Sequence, residues 1–203
     1  MIAITGASGQ LGRLVIAQLL EKVPASDIVA LVRDVNKVAD LSAKGVQVKA
    51  ADYNQPEALA SALQGVDKVL LISSSEVGQR AVQHRNVIDA AVKAGVKLVA
   101  YTSLLHADKS PLALAEEHRQ TETLLKDSGL PHVLLRNGWY TENYAASIPA
   151  ALEHGVFIGS AGEGKIASAT REDFAAAAVA VLTQEGQAGK VYELAGDEPY
   201  TLA

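Results

Sequence analysis

The chain contains no cysteine, so it has no disulfide frame, no thiolate nucleophile and no cysteine-based zinc site. Its five histidines, at 84, 106, 118, 132 and 154, never fall in the His-Glu-x-x-His pairing of a catalytic zinc, and no metal is expected. Lys and Arg number 18 against 23 Asp and Glu and form no cluster, so the net charge of −5 argues against nucleic acid or an anionic membrane as partner. No apolar run approaches the roughly 18 residues of a membrane span, and the first residues lack the basic segment of a secretion signal. A soluble, cytoplasmic protein is expected. Aromatic residues make up only 4% of the sequence, with one tryptophan, so any aromatic cluster stands out. At 203 residues with 49% hydrophobic content, the chain can bury one substantial core.

The richest signal lies at the start. Ile2-Ala3-Ile4 reads as a short strand, Gly6, Ala7, Ser8 and Gly9 as a turn, and Gln10, Leu11 and Gly12 as the opening of an amphipathic helix. Glycines at 6, 9 and 12 allow a tight turn, close backbone approach to a ligand, and close packing of helix on strand. Free amides at a helix start, with the positive end of the macrodipole behind them, suit a pyrophosphate. The spacing G-x-x-G-x-x-G differs from the G-x-G-x-x-G of ordinary dinucleotide dehydrogenases, and it lacks the Gly-Lys-Ser/Thr ending of a triphosphate-binding loop.

Runs rich in β-formers recur at 1–5, 27–32, 45–50, 67–72, 96–101 and 131–136, each followed by a helical stretch. Such alternation builds an α/β fold with a doubly wound parallel sheet. Leu11, Val15 and Leu19 share one helical face, as do Val82, Val87, Ala90 and Ala94, while Gly45, Gly65, Gly95 and Gly129 stand where helices must stop. Val69-Leu70-Leu71-Ile72 is continuously apolar, as expected of a strand covered on both faces. Residues 1–136 thus read as a dinucleotide-binding domain. Residues 137–203 read as a smaller substrate-side region continuous with it, with a helix near 171–183 and a strand near 190–195. Thr201 looks like a helix N-cap with no helix after it, so the substrate side is expected to continue past residue 203.

In such sheets the ligand lies across the C-terminal ends of the strands. Arg33 follows the second strand, where an arginine neutralises a 2′-phosphate and favours NADPH; the adjacent Asp34 leaves NADH use open. Asp52, after the third strand, is either an acceptor for an adenine amino group or a cap. Ser73, Ser74 and Ser75, after the fourth, leave room for ribose and pyrophosphate, or form a serine-rich turn. Leu114, His118, Thr121 and Leu125 lie on one helical face, which turns His118 inward as a donor to a ribose or substrate oxygen, or as a satisfied core histidine. Trp139, Tyr140, Asn143 and Tyr144 concentrate aromatics and amides just past the sixth strand, a setting for a nicotinamide face and a planar substrate, or a packing plug.

Taken together, Thr5 to Gly12, Arg33, His118-x-x-Thr121-Glu122 and Leu135 to Asn143 resemble the NmrA-like branch of atypical short-chain dehydrogenases, and within it the quinone-reducing and dye-reducing subgroup. The similarity spans essentially the whole chain. It implies an NAD(P)-binding Rossmann fold, with NADPH held by the glycine turn and Arg33 and touched by Ser73 to Ser75 and by Tyr140, Thr141, Glu142, Asn143 and Tyr144. It also implies a small-molecule quinone against Trp139, Tyr140 and Asn143, His118 as a weak acid that orients ribose or quinone, and no flavin. The wider superfamily carries Tyr-x-x-x-Lys as its proton-donating pair; here those places fall on Leu114 and His118. A ketone needs that acid, because hydride addition makes a basic alkoxide, whereas a quinone yields a delocalised hydroquinone anion. The rival expectation is a redox sensor that binds NADP(H) without turnover. Pairing with a second copy of the chain, as a homodimer, is left open.

Overall fold

The computed structural model describes residues 1–202. Among them run seven strands: β1 (Ile2–Ile4), β2 (Ile28–Val32), β3 (Gln47–Ala50), β4 (Lys68–Leu71), β5 (Leu98–Leu104), β6 (His132–Asn137) and β7 (Val191–Leu194). The α-helices are α1 (Gln10–Leu19), α2 (Ala39–Ala43), α3 (Pro56–Ala62), α4 (Arg80–Ala94), α5 (Ala113–Asp127), α6 (Glu142–Ala145), α7 (Ile148–His154) and α8 (Arg171–Thr183). Every strand pairing is parallel, in the order β3-β2-β1-β4-β5-β6-β7. The chain builds outward from β1 to β3, then returns past β1 to lay down β4 to β7. The C-terminal ends of β1 and β4 therefore flank the point where the winding reverses, which is where such sheets bind ligands.

The continuous apolar strands follow from burial on both faces. In β2 all five residues are buried: Ile28, Ala30 and Val32 enter one core with α1 and α8, while Val29 and Leu31 enter the other with α3, α4 and α5. Side chains alternate across a strand, so each of these two cores needs its own apolar set. The four expected helix stops, Gly45, Gly65, Gly95 and Gly129, all have positive φ, and Gly95 closes α4 in the left-handed region at +69°.

Two expectations are corrected. Val82 is 58% exposed rather than inward-facing. The inner face of α4 opens with Arg80, Gln83 and His84 before reaching Val87 and Ile88, and polar residues on a buried face are invisible to hydrophobic periodicity. The sheet also has a seventh strand: β7 pairs with β6 from Leu134↔Val191 to Asn137↔Leu194, and α8 packs in the core with α1. β7 is short and half exposed, so its own pattern announced a strand but not its partner. α8 is set by a capping box in which Thr170 Oγ1 accepts from the Asp173 amide and Asp173 Oδ2 from the Thr170 amide, both at 3.1 Å. Between β6 and α8, α6 and α7 bury no residue fully. Thr201 lies in no helix, and Ala203 is outside the described residues.

Candidate active site

Each glycine of the N-terminal turn has a distinct physical task. Gly6 takes φ +58°, and the Gly9 amide donates to the Gly6 carbonyl at 2.9 Å to close the turn. A Cβ on Gly12 would sit 2.5 Å from the Gly6 oxygen and 2.8 Å from Ala7 Cα, so only glycine lets α1 start this close to the turn. Gly9 occupies the N-cap of α1 without a capping side chain, and among the described residues no acceptor meets the amides of Gln10, Leu11 and Gly12. The result is an anion cradle made of backbone. Ala7 and Leu11 put their side chains in the core and reach a ligand through backbone alone; Ser8 and Gln10 are exposed.

Beside the turn, a cavity of about 240 Å³ is lined by Gly6, Gly9, Arg33, Asp52, Ser73 to Ser75 and Glu76. It brings together residues that follow β1, β2, β3 and β4. A larger cleft of about 610 Å³ lies at the opposite, N-terminal ends of the strands, around Met1, Lys68 and Lys97. The switch-point rule selects the smaller one. In the larger cleft, Lys97 and the terminal amino group are engaged by Asp67 at 2.7 and 2.5 Å, and the two cations hold that carboxyl at about 2. Asp52 lines the selected cavity while its Oδ1 accepts from the Asn54 amide at 2.8 Å, so it stiffens a turn without capping a helix.

The walls of this cavity are fastened from below. Tyr53 Oη lies 2.6 Å from Thr5 Oγ1 and 2.8 Å from the Ile72 carbonyl, tying the ends of β1 and β4 together; burial raises its pKa and keeps the phenol protonated. The Ser73 amide donates to Thr102 Oγ1 at 2.9 Å, the Ser74 amide to His84 Nε2 at 2.9 Å, and Arg80 Nε to the Ser74 carbonyl at 2.7 Å. An amide can only donate, so His84 Nε2 is unprotonated and Nδ1 carries the proton toward Thr121 Oγ1 at 2.9 Å. Burial, then the Arg80 charge, lowers His84 to about 3, which keeps this neutral tautomer in place. Arg80 is itself buried and paired with Glu117 at 2.8 Å. Sequence reasoning missed Tyr53, Arg80, His84 and Thr102, because their roles arise from contacts between distant segments.

His118 points inward, as its spacing predicts, and is buried. It does not line the cavity: its Nδ1 is 2.7 Å from the hydroxyl of the fully buried Tyr101. Burial first, and Arg80 second, lower His118 to about 4. The imidazole is therefore neutral at pH 7, so it offers a hydrogen bond but no imidazolium proton.

Past β6, Arg171, the first residue of α8, gathers Tyr140, Glu142 and Asn143. Its guanidinium lies 4.6 Å over the Tyr140 ring, which also packs on Phe174 at 5.1 Å, and Nη2 donates to Asn143 Oδ1 at 3.0 Å. Its amide donates to Glu142 Oε1 at 2.8 Å. Asn137 donates to Tyr140 Oη at 3.3 Å while its own Oδ1 is buried with no hydrogen-bond partner among the described residues. Thr141 Oγ1 meets Ser168 Oγ at 2.8 Å. Trp139 is half exposed, 6.4 Å from Tyr144, which neighbours Phe157 at 6.3 Å. None of residues 139–144 lines the cavity at the glycine turn. The two groups form separate parts of the C-terminal crest.

A Rossmann sheet with a backbone cradle at its switch point defines a dinucleotide-binding protein, and the chain belongs to the NAD(P)H-binding family whose profile matches residues 6–185. More particularly, it is 68% identical over 202 residues to quinone oxidoreductase 2 of Escherichia coli, covering all of this chain and 71% of that protein. It is 34% identical to an NAD(P)H azoreductase of Xenophilus azovorans, over 98% of this chain and 68% of that protein. Among solved structures, the E. coli NADPH-dependent quinone oxidoreductase complexed with NADPH superimposes with a TM-score of 0.97, covering 100% of this chain and 71% of that one. The triphenylmethane reductase of Citrobacter, 45% identical, gives 0.95 over 98% of this chain and 71% of its own.

Proposed function

We propose that this chain reduces quinones with NADPH in a single two-electron step, without flavin or metal. The observation that carries the reading is the cradle itself: three unmet amides at the start of α1, a helix that packs this close to the turn only because Gly12 lacks a Cβ, beside a cavity lined by Arg33. The relative with NADPH in its structure, 68% identical over the whole chain, supports it. NADPH, when bound, supplies the hydride, and its addition to a quinone gives an aromatic hydroquinone anion that solvent protonates.

The work left to the protein is positioning. The amides of Gln10 to Gly12 hold the pyrophosphate and Arg33 the 2′-phosphate. Ser73 to Ser75, pinned by Thr102, His84 and Arg80, hold the ribose side. Asn137 Oδ1 is a buried acceptor with unmet capacity, suited to a carboxamide donor. Tyr140 and Asn143, fixed by Arg171, and the half-exposed Trp139 shape the acceptor side. His118, neutral and tied to Tyr101, contributes orientation rather than a proton. The lack of a protein acid at Leu114 and His118 is tolerable for a quinone and costly for a simple ketone. NADPH is an intracellular reductant, which fits a cytoplasmic protein; no helix among the described residues is long and apolar enough to cross a membrane. Replacing Arg33 by alanine is expected to raise KM for NADPH by about tenfold or more, and to change that for NADH little. Equal changes for both would remove Arg33 from the 2′-phosphate site.

A further inference from the structure

Arg33 is not alone at the cavity rim. Its Nη1 donates to Glu76 Oε1 at 3.0 Å, and the other oxygen of that carboxylate accepts from Gln83 Nε2 at 2.8 Å. Glu76 is also fixed through its backbone, where its amide donates to Ser74 Oγ at 3.1 Å. Gln83 is buried and its Nε2 faces two acceptors, Glu76 Oε2 and Asn54 Oδ1, while its Oε1 has no hydrogen-bond partner among the described residues; the opposite amide orientation would set that oxygen against both acceptors, so Nε2 is the atom that keeps the carboxylate aimed at Arg33. Arg33, Glu76 and Gln83 all line the cavity that reaches the glycine turn.

We propose that Glu76 competes with the cofactor's 2′-phosphate for Arg33, and so sets how strongly the chain prefers 2′-phosphorylated over unphosphorylated adenine dinucleotides. The proposal rests on the cofactor reading given above. A 2′-phosphate carries between one and two negative charges, and at Arg33 it meets a carboxylate that Gln83 holds, on a backbone anchored to Ser74. Either Glu76 gives up Arg33 Nη1, or two anions share one guanidinium; both outcomes weaken binding of the phosphorylated cofactor. An unphosphorylated ribose brings a 2′-hydroxyl instead, and a hydroxyl donor is what the same carboxylate accepts. One side chain thus acts in opposite directions on the two cofactors.

The test is isothermal titration of the full chain with NADP⁺ and with NAD⁺, comparing wild type, Glu76→Gln and Glu76→Ala, with no turnover involved. Because the Arg33–Glu76 pair is largely solvent-exposed, the expected change is modest: NADP⁺ binds about threefold to tenfold more tightly in both variants at low salt. NAD⁺ binds unchanged or more weakly, and the gain for NADP⁺ shrinks in an Arg33→Ala background. Equal tightening of both nucleotides, or tightening of neither, overturns the proposal while leaving the cofactor reading intact. Wild-type protein that binds neither nucleotide would defeat the cofactor reading, and the proposal with it.

Discussion

The two halves of the crest are built by different physics. At the glycine turn, binding groups are backbone amides, and their supports are buried: Thr5, Tyr53, Thr102 and His84 connect β1, β4, β5 and α4 under one cavity. Past β6, the groups are side chains of residues 139–144, in the loop after the strand and on the short helix α6, which buries no residue fully, and one cation from α8 holds Tyr140, Glu142 and Asn143. A site meant for one invariant cofactor gains from rigidity, because a preformed cradle costs no ordering on binding. A site for planar acceptors of varied outline gains from exposed aromatic faces whose support is a few polar contacts. The comparison predicts that damage to the first half abolishes cofactor binding, and that loss of the Arg171 contacts in the second, which leaves Asn137 in place, weakens it little.

The sharpest break is at Gly12. Gly12→Ala places a Cβ inside contact distance of the Gly6 carbonyl and Ala7 Cα, and overpacking of that severity costs about 3 kcal/mol. Binding of NADP⁺ is expected to fall more than about a hundredfold as the turn is pushed away from α1, since tenfold corresponds to about 1.4 kcal/mol. Near-normal affinity would show that close packing of α1 is not what forms the cradle. Acid comes next. His84 and His118 fall from 6.5 to about 3 and about 4 on folding, so below pH 6.5 the unfolded chain takes up protons that the folded chain refuses. Their stability contribution is complete above pH 6.5 and is lost as pH falls toward the folded values. Between pH 6.5 and 5 the loss is about 2 kcal/mol per histidine. Urea unfolding at the two pH values measures it; a flat profile would mean that neither imidazole is buried neutral beneath the cofactor half. The smallest effect is at Arg171. Arg171→Ala removes the contact over Tyr140 and the bond to Asn143, and kcat/KM for a quinone is expected to drop about tenfold while the Kd for NADP⁺ changes less than about twofold. A parallel loss of NADP⁺ affinity would merge the two halves into one.

How much of this was legible in the sequence depends on how local the cause is. The glycine turn, the strand and helix alternation and the helix stops were readable, because each is set by residues within one turn or one period of one another. The spacing of His118 with Leu114, Thr121 and Leu125 turns it inward, yet its partner Tyr101 lies on β5 and its lowered pKa comes from burial first and then from Arg80 on α4. The serine loop was readable as small and polar; that His84, ten residues away, accepts from its amide was not. Arg171 escaped notice for a similar reason: it opens a helix 28 residues after Asn143 in the chain, and only the fold brings the two to 3.0 Å. The seventh strand was seen as a strand but not as part of the sheet, since edge pairing leaves little trace in a four-residue, half-exposed run.

The central claim is that these two halves cooperate to pass a hydride, and one anaerobic mixing experiment tests it most directly. The protein is saturated with NADPH, a simple benzoquinone is added, and the reduced-nicotinamide absorbance band is followed against a protein-free control. The account predicts rapid, protein-dependent loss of the band with one hydroquinone formed per NADPH consumed. Tight NADPH binding with no loss beyond the control would contradict it and would describe a protein that senses the cofactor without using it.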